Sequence, residues 1–231
     1  MHPAVQQTIH AIIRDSGVRP RRALEVGGVM GPNSLLRSPE LQGAERFCLN
    51  LVSMPSSDDI TAVAGNANDM TLFEDETFDL VLSNATLEHD KHFWLSLAEV
   101  RRVLAPGGML VIGAPGFRKN PERDHGRSTH TYRVHYRFDY YRFSDQAFRE
   151  VFFEGMEDVH VQSVLEPPRF IGHGFKPGRG RSAIHRRSAA RAPTGAPTVA
   201  VPLPAARRGL VPLYPRRPLR RLLSRLRARR A

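Results

Sequence analysis

A glycine-rich turn beside an acidic residue is the first place in this chain where residue types and spacing indicate ligand binding. The segment RALEVGGVMG, residues 22–31, predicts a short apolar strand that carries Glu25 and continues into Gly27, Gly28 and Gly31. Because glycine has no side chain, such a turn lets the backbone approach a nucleotide-like ligand closely. The same pattern also forms purely structural turns, so its interpretation depends on the rest of the chain.

Two later segments have strand and turn patterns that are expected together with such a turn. FDLVLSNATLEH, residues 78–89, predicts a buried strand with a polar end, and RRVLAPGGMLVIGAPG, residues 101–116, predicts a helix end, a turn and an apolar strand. Together with the glycine turn, these segments resemble the class I S-adenosylmethionine-dependent methyltransferases over roughly residues 22–177. The LAPGG turn is the most specific piece, and a Rossmann dehydrogenase would lack it.

The resemblance implies that S-adenosylmethionine is the cofactor and that the glycine turn wraps its amino acid portion. In the family's acid-x-Gly-x-Gly-x-Gly pattern, Glu25, Gly27 and Gly31 match, and Glu25 would help to position the methionine ammonium group. Val29 replaces the middle glycine, and Gly28 precedes it. Since a β-branched residue does not easily adopt a positive φ, we expect the loop to follow a somewhat different path.

Further cofactor-binding residues are implied near the ends of the next strands. Asn50 aligns with the acid that accepts the ribose hydroxyls, and Asn66 and Ala67 align with the turn that reads the adenine amino group. Asn84 and Leu87 belong to the segment beside the sulfonium group. Two acidic contacts are therefore amides in this chain, which can still accept a hydrogen bond but without a charge.

Three residues are candidates for contact with the methyl acceptor. His89 ends the LEH segment, where it can act as a general base, or alternatively tie the loop to nearby backbone. His135 and Asp139 belong to a segment that resembles the His…Asp-Tyr-Tyr-Arg-Phe-Ser stretch of methyltransferases from glycan and natural-product gene clusters. That resemblance implies a loop that caps the acceptor pocket and contacts a hydroxyl or amine.

Histidines 125, 130 and 135 follow one another at steps of five residues. Such steps do not place the side chains on one helix face, and no cysteine lies nearby, so we predict no metal site. Cys48 is the chain's single cysteine, which excludes an intrachain disulfide.

The order of the elements predicts the fold class. Strands alternate with helices, which indicates an α/β, Rossmann-like, doubly wound and mostly parallel seven-strand sheet of the methyltransferase type. We predict helices over 5–15, 34–41, 91–104 and 146–153, and strands over 23–26, 46–52, 61–64, 78–83, 109–114, 159–165 and 169–173.

The basic charge is concentrated at one end of the chain. Residues 179–231 contain 15 arginines and no acidic residue, whereas residues 1–178 hold 19 basic against 23 acidic residues. We therefore predict a methyltransferase domain over 1–178 and a disordered Arg/Pro/Ala-rich tail over 179–231, with an amphipathic helix over 218–230 as an alternative. The tail would give non-specific binding to an anionic partner, either a membrane surface or a nucleic acid.

The sequence favours S-adenosylmethionine-dependent methyl transfer to a small-molecule, sugar or lipid-linked acceptor, with a slight preference for an oxygen atom. One alternative is an interaction module that keeps the fold without catalysis, which Val29, Asn50 and Asn66 favour. Another is binding to nucleic acid or membrane through the tail alone. The chain has no apolar run long enough to span a membrane and no secretory signal, so we expect a cytoplasmic protein, with peripheral membrane attachment through the tail as an alternative.

Overall fold

The computed structural model describes residues 1–119, 128–129 and 138–178, and strands outnumber helices in this part of the chain. The strands are β1 (Arg22–Val26), β2 (Glu45–Asn50), β3 (Thr61–Ala64), β4 (Phe78–Asn84), β5 (Leu104–Pro115), β6 (Arg118–Lys119), β7 (Ser128–Thr129), β8 (Glu157–Ser163) and β9 (Arg169–Phe175). The helices are α1 (Pro3–Ser16), α2 (Phe93–Val103) and α3 (Asp145–Ala147), which continues as a π-helical turn over Phe148–Phe152.

Seven strands form one sheet in the order β3-β2-β1-β4-β5-β9-β8, and β6 and β7 form a separate two-stranded ribbon. The pairs from β3 to β5 are parallel, while β9 runs antiparallel to both β5 and β8. The predicted doubly wound, Rossmann-like and mostly parallel seven-strand sheet is therefore confirmed. The strand order reverses between β1 and β4, and ligands of such sheets bind at this switch point.

Alternate residues of the central strands enter two separate apolar cores. On β4, Val81 packs in the core that includes α2 and the π-helical turn, whereas Leu80 and Leu82 pack in the core that includes α1. Both faces are covered, which is why β1 and β4 read as nearly continuous apolar runs. This double burial holds the carboxyl ends of the parallel strands in place for the loops that follow them.

The predicted helix over 34–41 is wrong. The structure has two single 3₁₀ turns there, Leu35–Arg37 and Pro39–Leu41. Ser38 separates them in an extended conformation, with φ −58° and ψ 133°, because a residue before proline is disfavoured in the helical region. The segment after the glycine turn is consequently a loop held by side-chain hydrogen bonds.

Two other predictions need smaller corrections. The helix over 146–153 is one short α-helical turn that widens into the π-helical turn at Phe148–Phe152. The predicted Leu104–Gly108 turn lies within β5, where the pairing with β4 shifts register between Phe78 and Leu80. Gly107 has φ 75° in this bulge, a conformation that favours glycine.

Several predictions concern residues that the structure does not describe. The basic tail, its helix over 218–230 and the three histidines at 125, 130 and 135 all lie outside the described residues. Within the described ranges, none of the helices has the length and apolar character needed to cross a lipid bilayer. The described residues also contain no group of three or more histidine, cysteine or acidic side chains arranged to hold a metal ion.

Candidate functional site

A cavity of about 450 Å³ opens at the carboxyl ends of the parallel strands. This volume is within the range of small-molecule sites, and the cavity lies at the switch point between β1 and β4. Its wall is built by the loops after β1, β2, β3 and β4, together with Tyr140, which lies in the segment that begins at residue 138. It is lined by Gly27, Leu49, Asn50, Leu51, Gly65, Asn66, Ala67, Asn68, Ala85, Thr86, His89, Asp90, Lys91, His92 and Tyr140.

Gly27 forms the cavity wall at the end of β1 and cannot carry a side chain there. Its φ is 73°, and a Cβ atom would collide with the side chain of Thr86. Its N–H donates to Leu49 O at 2.8 Å, which ties the turn to β2. The backbone is therefore held directly against the space that a ligand would occupy.

Glu25 lies beneath the glycine loop and does not line the cavity. Its carboxylate accepts hydrogen bonds from Ser34 Oγ at 2.7 Å and from Leu35 N at 3.2 Å. A Cβ atom on Gly28 would touch both Glu25 and the Cys48 sulfur, so this glycine is needed for packing. Burial raises the pKa of Glu25, and the hydrogen bonds from Ser34 and Leu35 oppose that rise. In the structure Glu25 anchors the loop that replaces the predicted helix.

Asn50 uses both ends of its amide to join two loops. Its Nδ2 donates to Gly28 O at 2.7 Å, and its Oδ1 accepts from Val52 N at 3.1 Å. A carboxylate at this position could not donate to the Gly28 carbonyl. The Asn50 amide therefore fixes the glycine loop. Its Oδ1 accepts one hydrogen bond among the described residues and can accept a second on the cavity wall.

Asn66 and Asn68 form the opposite wall of the cavity after β3. Asn66 Oδ1 accepts from Asn68 N at 3.0 Å, and Asn68 Nδ2 donates to Asp90 Oδ2 at 2.7 Å and to Ser96 Oγ at 2.8 Å. Asp90 Oδ1 also accepts from His92 N at 2.8 Å just before α2. The start of α2 is therefore linked to the cavity through one carboxylate.

Sequence reasoning missed Asn68, Asp90 and their link. The signal was present in the sequence, because Asp90 directly precedes the predicted helix over 91–104, and an acidic residue there is a common helix N-terminal pattern. Lys91, Thr86 and Tyr140 were also missed as lining residues, and no pattern in the sequence distinguishes them from other loop residues.

His89 lines the cavity and is tied to the segment after 137. Its Nδ1 lies 2.6 Å from the carbonyl oxygen of Phe138, so this ring nitrogen carries the proton in that contact. The backbone N–H of Tyr140 donates to Glu88 O at 2.8 Å, which binds the same two segments together. His89 therefore lines the cavity and also ties its loop to the backbone at Phe138.

Asp139 is one half of a buried ion pair. Arg142 donates to both of its carboxylate oxygens, with Nη2 2.8 Å from Oδ2, and 5% of the Asp139 side chain is exposed. The geometry favours a positioning role for Asp139, which fixes the segment beside Tyr140.

Glu88 and Arg169 are two further charged residues at the same edge of the sheet. Glu88 is 2% exposed, and burial raises the pKa of its carboxyl group against the opposing effects of Arg169 and His89. Arg169, at the start of β9, donates from Nη1 to Asn84 Oδ1 at 3.4 Å. Neither Glu88 nor Arg169 was singled out from the sequence.

The structure thus brings some of the predicted site residues together and places others elsewhere. The predicted residues that line the cavity are Gly27, Asn50, Asn66, Ala67 and His89. Those outside its wall are Glu25, Gly28, Gly31, Asn84, Leu87 and Asp139, and His135 lies outside the described residues. Leu87 is a core residue, and Gly31 lies farther along the glycine loop with φ 135°.

Residues 42–112 match the family model described as a methyltransferase domain. This stretch contains three of the four loops that line the cavity, those after β2, β3 and β4. Over this stretch the chain is similar to the class I S-adenosylmethionine-dependent methyltransferases. S-adenosylmethionine is the cofactor that this similarity implies.

One relative of known activity is similar to this chain over about half of its length. The malonyl-[acyl-carrier protein] O-methyltransferase of Methylococcus capsulatus is 30% identical over 121 residues, which cover 48% of this chain and 44% of the relative. This match therefore spans less than half of the relative's length.

Two solved methyltransferases have the same fold. The 1,6-didemethyltoxoflavin-N1-methyltransferase of Burkholderia thailandensis, solved with S-adenosylhomocysteine, has a TM-score of 0.53 at 19% identity, covering 76% of this chain and 79% of its own. Phosphoethanolamine N-methyltransferase 2 of Haemonchus contortus, solved with S-adenosylmethionine, has a TM-score of 0.56 at 15% identity, covering 74% of this chain and 52% of its own.

The cavity fits S-adenosylmethionine on two observations. Gly27 lines it with backbone only and packs so closely against Thr86, another lining residue, that a Cβ atom would collide there. Amide, carboxylate and backbone groups from Asn50, Asn66 and Asp90 surround an otherwise apolar space, which suits a ligand with polar ends. Gly27, Asn50, Asn66 and Ala67 are the predicted residues that would hold the cofactor there.

Proposed function

We propose that this protein transfers the methyl group of S-adenosylmethionine to a small-molecule, sugar or lipid-linked acceptor. The observation that carries the proposal is the cavity at the β1–β4 switch point, with Gly27 as a wall that admits no side chain. The cofactor supplies a methyl group on a sulfonium leaving group that is already activated. The protein's contribution is then to hold the two reactants in line and to exclude water.

An oxygen atom on the acceptor is the slightly favoured target. Groups that can accept a proton lie on the side of the cavity near the segment after 137, where His89 lines the wall and Glu88 is its neighbour. Proton acceptance assists a hydroxyl nucleophile more than a carbon nucleophile that is already activated. His135 stays a candidate for the same role.

A non-catalytic interaction module is the second candidate function. It is supported by Asn50 and Asn66, whose amide groups are engaged with the protein's own backbone. If those bonds exhaust the polar contacts, the cavity would bind the cofactor weakly or not at all. Cofactor affinity therefore distinguishes the two functions.

Calorimetric titration of S-adenosylmethionine and S-adenosylhomocysteine into the full chain tests the proposal. We expect micromolar binding in the wild type and a loss of at least about tenfold in Gly27→Ala, because the new Cβ meets Thr86. Gly43→Ala is the matched control, since Gly43 also has a positive φ, has no atom within 4 Å of an added Cβ and does not line the cavity. No binding at millimolar cofactor would make the interaction module the leading function.

Binding of the arginine-rich segment 179–231 to an anionic surface is a separate proposal. Its support is the 15 arginines without a single acidic residue. Anionic vesicles and duplex DNA should each bind the full chain with an affinity that falls steeply with salt. Equal affinity after deletion of residues 179–231 would contradict it.

A further inference from the structure

Three residues lie close together at the carboxyl end of β4. Asn84 ends β4 and pairs with Gly113 on β5, and Arg169, at the start of β9, pairs with Pro115, two residues after Gly113. A Cβ atom on Gly113 would collide with Asn84 Oδ1. The missing side chain lets the Asn84 amide lean over β5 and accept a hydrogen bond from Arg169 Nη1 at 3.4 Å. Arg169 is thereby directed toward the end of β4.

The charged groups at this edge differ in how their hydrogen bonds are satisfied. Arg142 and Asp139 bind each other through two hydrogen bonds. Among the described residues, by contrast, Glu88 Oε2 is buried without a hydrogen-bond partner, and the guanidinium of Arg169 makes its one hydrogen bond to Asn84. A buried carboxylate oxygen without a partner is costly and rare in a folded protein.

Glu88 and Arg169 together offer hydrogen-bonding groups of both kinds to a ligand. Glu88 offers an acceptor oxygen, and Arg169 offers several N–H donors, yet the two side chains form no direct ion pair. A ligand that carries a donor and an oxygen acceptor side by side satisfies both. Glu88 is buried and directly precedes His89, which lines the cavity, so Glu88 lies behind the cavity wall.

We propose that Glu88 and Arg169 are the acceptor-recognition pair, selecting acceptors whose nucleophilic hydroxyl or amine lies beside a carboxylate or carbonyl oxygen. The proposal rests on the methyltransferase function proposed above and names its substrate class. Glu88 accepts the hydrogen bond of the nucleophile, and Arg169 donates to the neighbouring oxygen. Asn84 positions Arg169 and does not contact the acceptor.

The same arrangement accounts for the acceptor's proton. During transfer, the acceptor oxygen or nitrogen forms a bond to the methyl carbon while the methyl–sulfur bond breaks and its electron pair stays on sulfur. The acceptor's proton passes to the Glu88 carboxylate. Burial raises the pKa of this carboxyl group, which makes its ionised form a stronger base than an exposed glutamate.

The test measures binding of matched probes to the full chain in the presence of saturating S-adenosylhomocysteine. The probes are 2-hydroxybenzoate and 2-aminobenzoate, whose two groups are adjacent, and 4-hydroxybenzoate and phenol, which separate or lack them. We expect the adjacent-group probes to bind at least about tenfold more tightly, since a charge-assisted hydrogen bond is gained. Arg169→Gln should abolish this preference.

Two further variants separate recognition from structure. Glu88→Gln should reduce methyl transfer from tritium-labelled S-adenosylmethionine at least about tenfold and remove the acid limb of the kcat profile, while cofactor affinity is unchanged. Glu150→Gln and Arg149→Gln, which alter exposed residues with the same functional groups, should leave both probe binding and transfer unchanged.

The outcomes distinguish this inference from the proposed function. Loss of cofactor binding in the wild type would remove the methyltransferase function itself. Cofactor binding with equal affinity for all four probes, or with no binding of any probe, would overturn the recognition pair alone. A preference that persists in Arg169→Gln would also overturn it.

Discussion

The two ends of the site are polar in different ways. At the cofactor end, formed by the loops after β1, β2 and β3, side chains such as Asn50 and Asn66 bond to the protein's own backbone. At the proposed acceptor end, which includes Glu88 and Arg169, Glu88 Oε2 has no hydrogen-bond partner among the described residues, and Arg169 makes one hydrogen bond, to Asn84. Polar residues at the first end therefore shape the cavity, whereas Glu88 and Arg169 keep hydrogen-bonding groups that a ligand could use.

The largest effect should come from the completed ion pair at the acceptor end. Asp139→Asn leaves the buried Arg142 guanidinium without its bidentate carboxylate, and we expect a loss of about 3 kcal/mol in the free energy of unfolding. Urea titration measures it. The matched control is Asp15→Asn, in an ion pair with Arg14 whose side chains are exposed, where the change should be under about 1 kcal/mol.

Equal losses in the two variants would contradict the distinction between a buried and an exposed pair. They would also remove the argument that Asp139 positions the segment beside Tyr140, because a carboxylate that contributes no stability does not fix its surroundings.

The sheet could be predicted from the sequence because its strands are buried on both faces. Val81, Leu80 and Leu82 produce an apolar run whose meaning does not depend on distant residues. The segment 34–41 could not be predicted in this way. Its apolar spacing suits a helix, but Pro39 keeps Ser38 extended, and the segment is then held by Glu25 from another element.

Asn50 should give the second-largest effect and tests the cofactor end. Asn50→Ala removes the hydrogen bonds to Gly28 and Val52, each worth about 1 kcal/mol, so we expect an unfolding free energy lower by about 2 kcal/mol. Thermal unfolding should show a fall in Tm of about 4–8 °C. Asn33→Ala, an exposed asparagine of the same loop region, is the control and should change little.

A stability loss in Asn50→Ala that matches the control would mean that the amide does not brace the glycine loop. The amide would then be a pure ligand contact, and the contrast between the two ends would disappear.

The site was only partly predictable from the sequence for a related reason. Gly27, Asn50 and Asn66 lie at or just after strand ends, so their position could be read from the strand order. Arg169 comes close enough to affect the charge of Glu88 only because β9 returns beside β5, and the two residues are 81 positions apart in the chain. No local sequence pattern predicts this proximity.

Glu88 should respond in the opposite direction from Asp139. The pKa of Glu88 is higher in the folded state than in the unfolded state. Its contribution to stability is therefore present at pH values below its unfolded-state pKa and is lost as pH rises through its folded-state pKa. Glu88→Gln should therefore equal the wild type near pH 4 and exceed its unfolding free energy by on the order of 1 kcal/mol at pH 8. Urea titrations at both pH values check this, with Glu150→Gln as the exposed control.

A Glu88→Gln variant that is less stable than the wild type at pH 8 would show that the carboxylate is satisfied after all. The acceptor end would then resemble the cofactor end, and Glu88 would be a structural residue.

The smallest effect should come from the sheet edge, away from both ends of the site. His160 on β8 and His173 on β9 stack with ring centroids 5.2 Å apart, and burial, followed by the charge of His160, lowers the pKa of His173 to about 4. The folded state holds His173 in its neutral form. The stability that this contributes is present at pH values above the unfolded-state pKa of about 6.5 and is lost as pH falls toward the folded-state pKa of about 4. Because His173 is partly exposed, we expect a small effect. Between pH 7 and pH 4.5 the unfolding free energy of the wild type should fall by under about 1 kcal/mol more than that of His173→Gln. Urea titrations at these two pH values measure the difference, and parallel losses in variant and wild type would show that His173 titrates as an ordinary surface histidine.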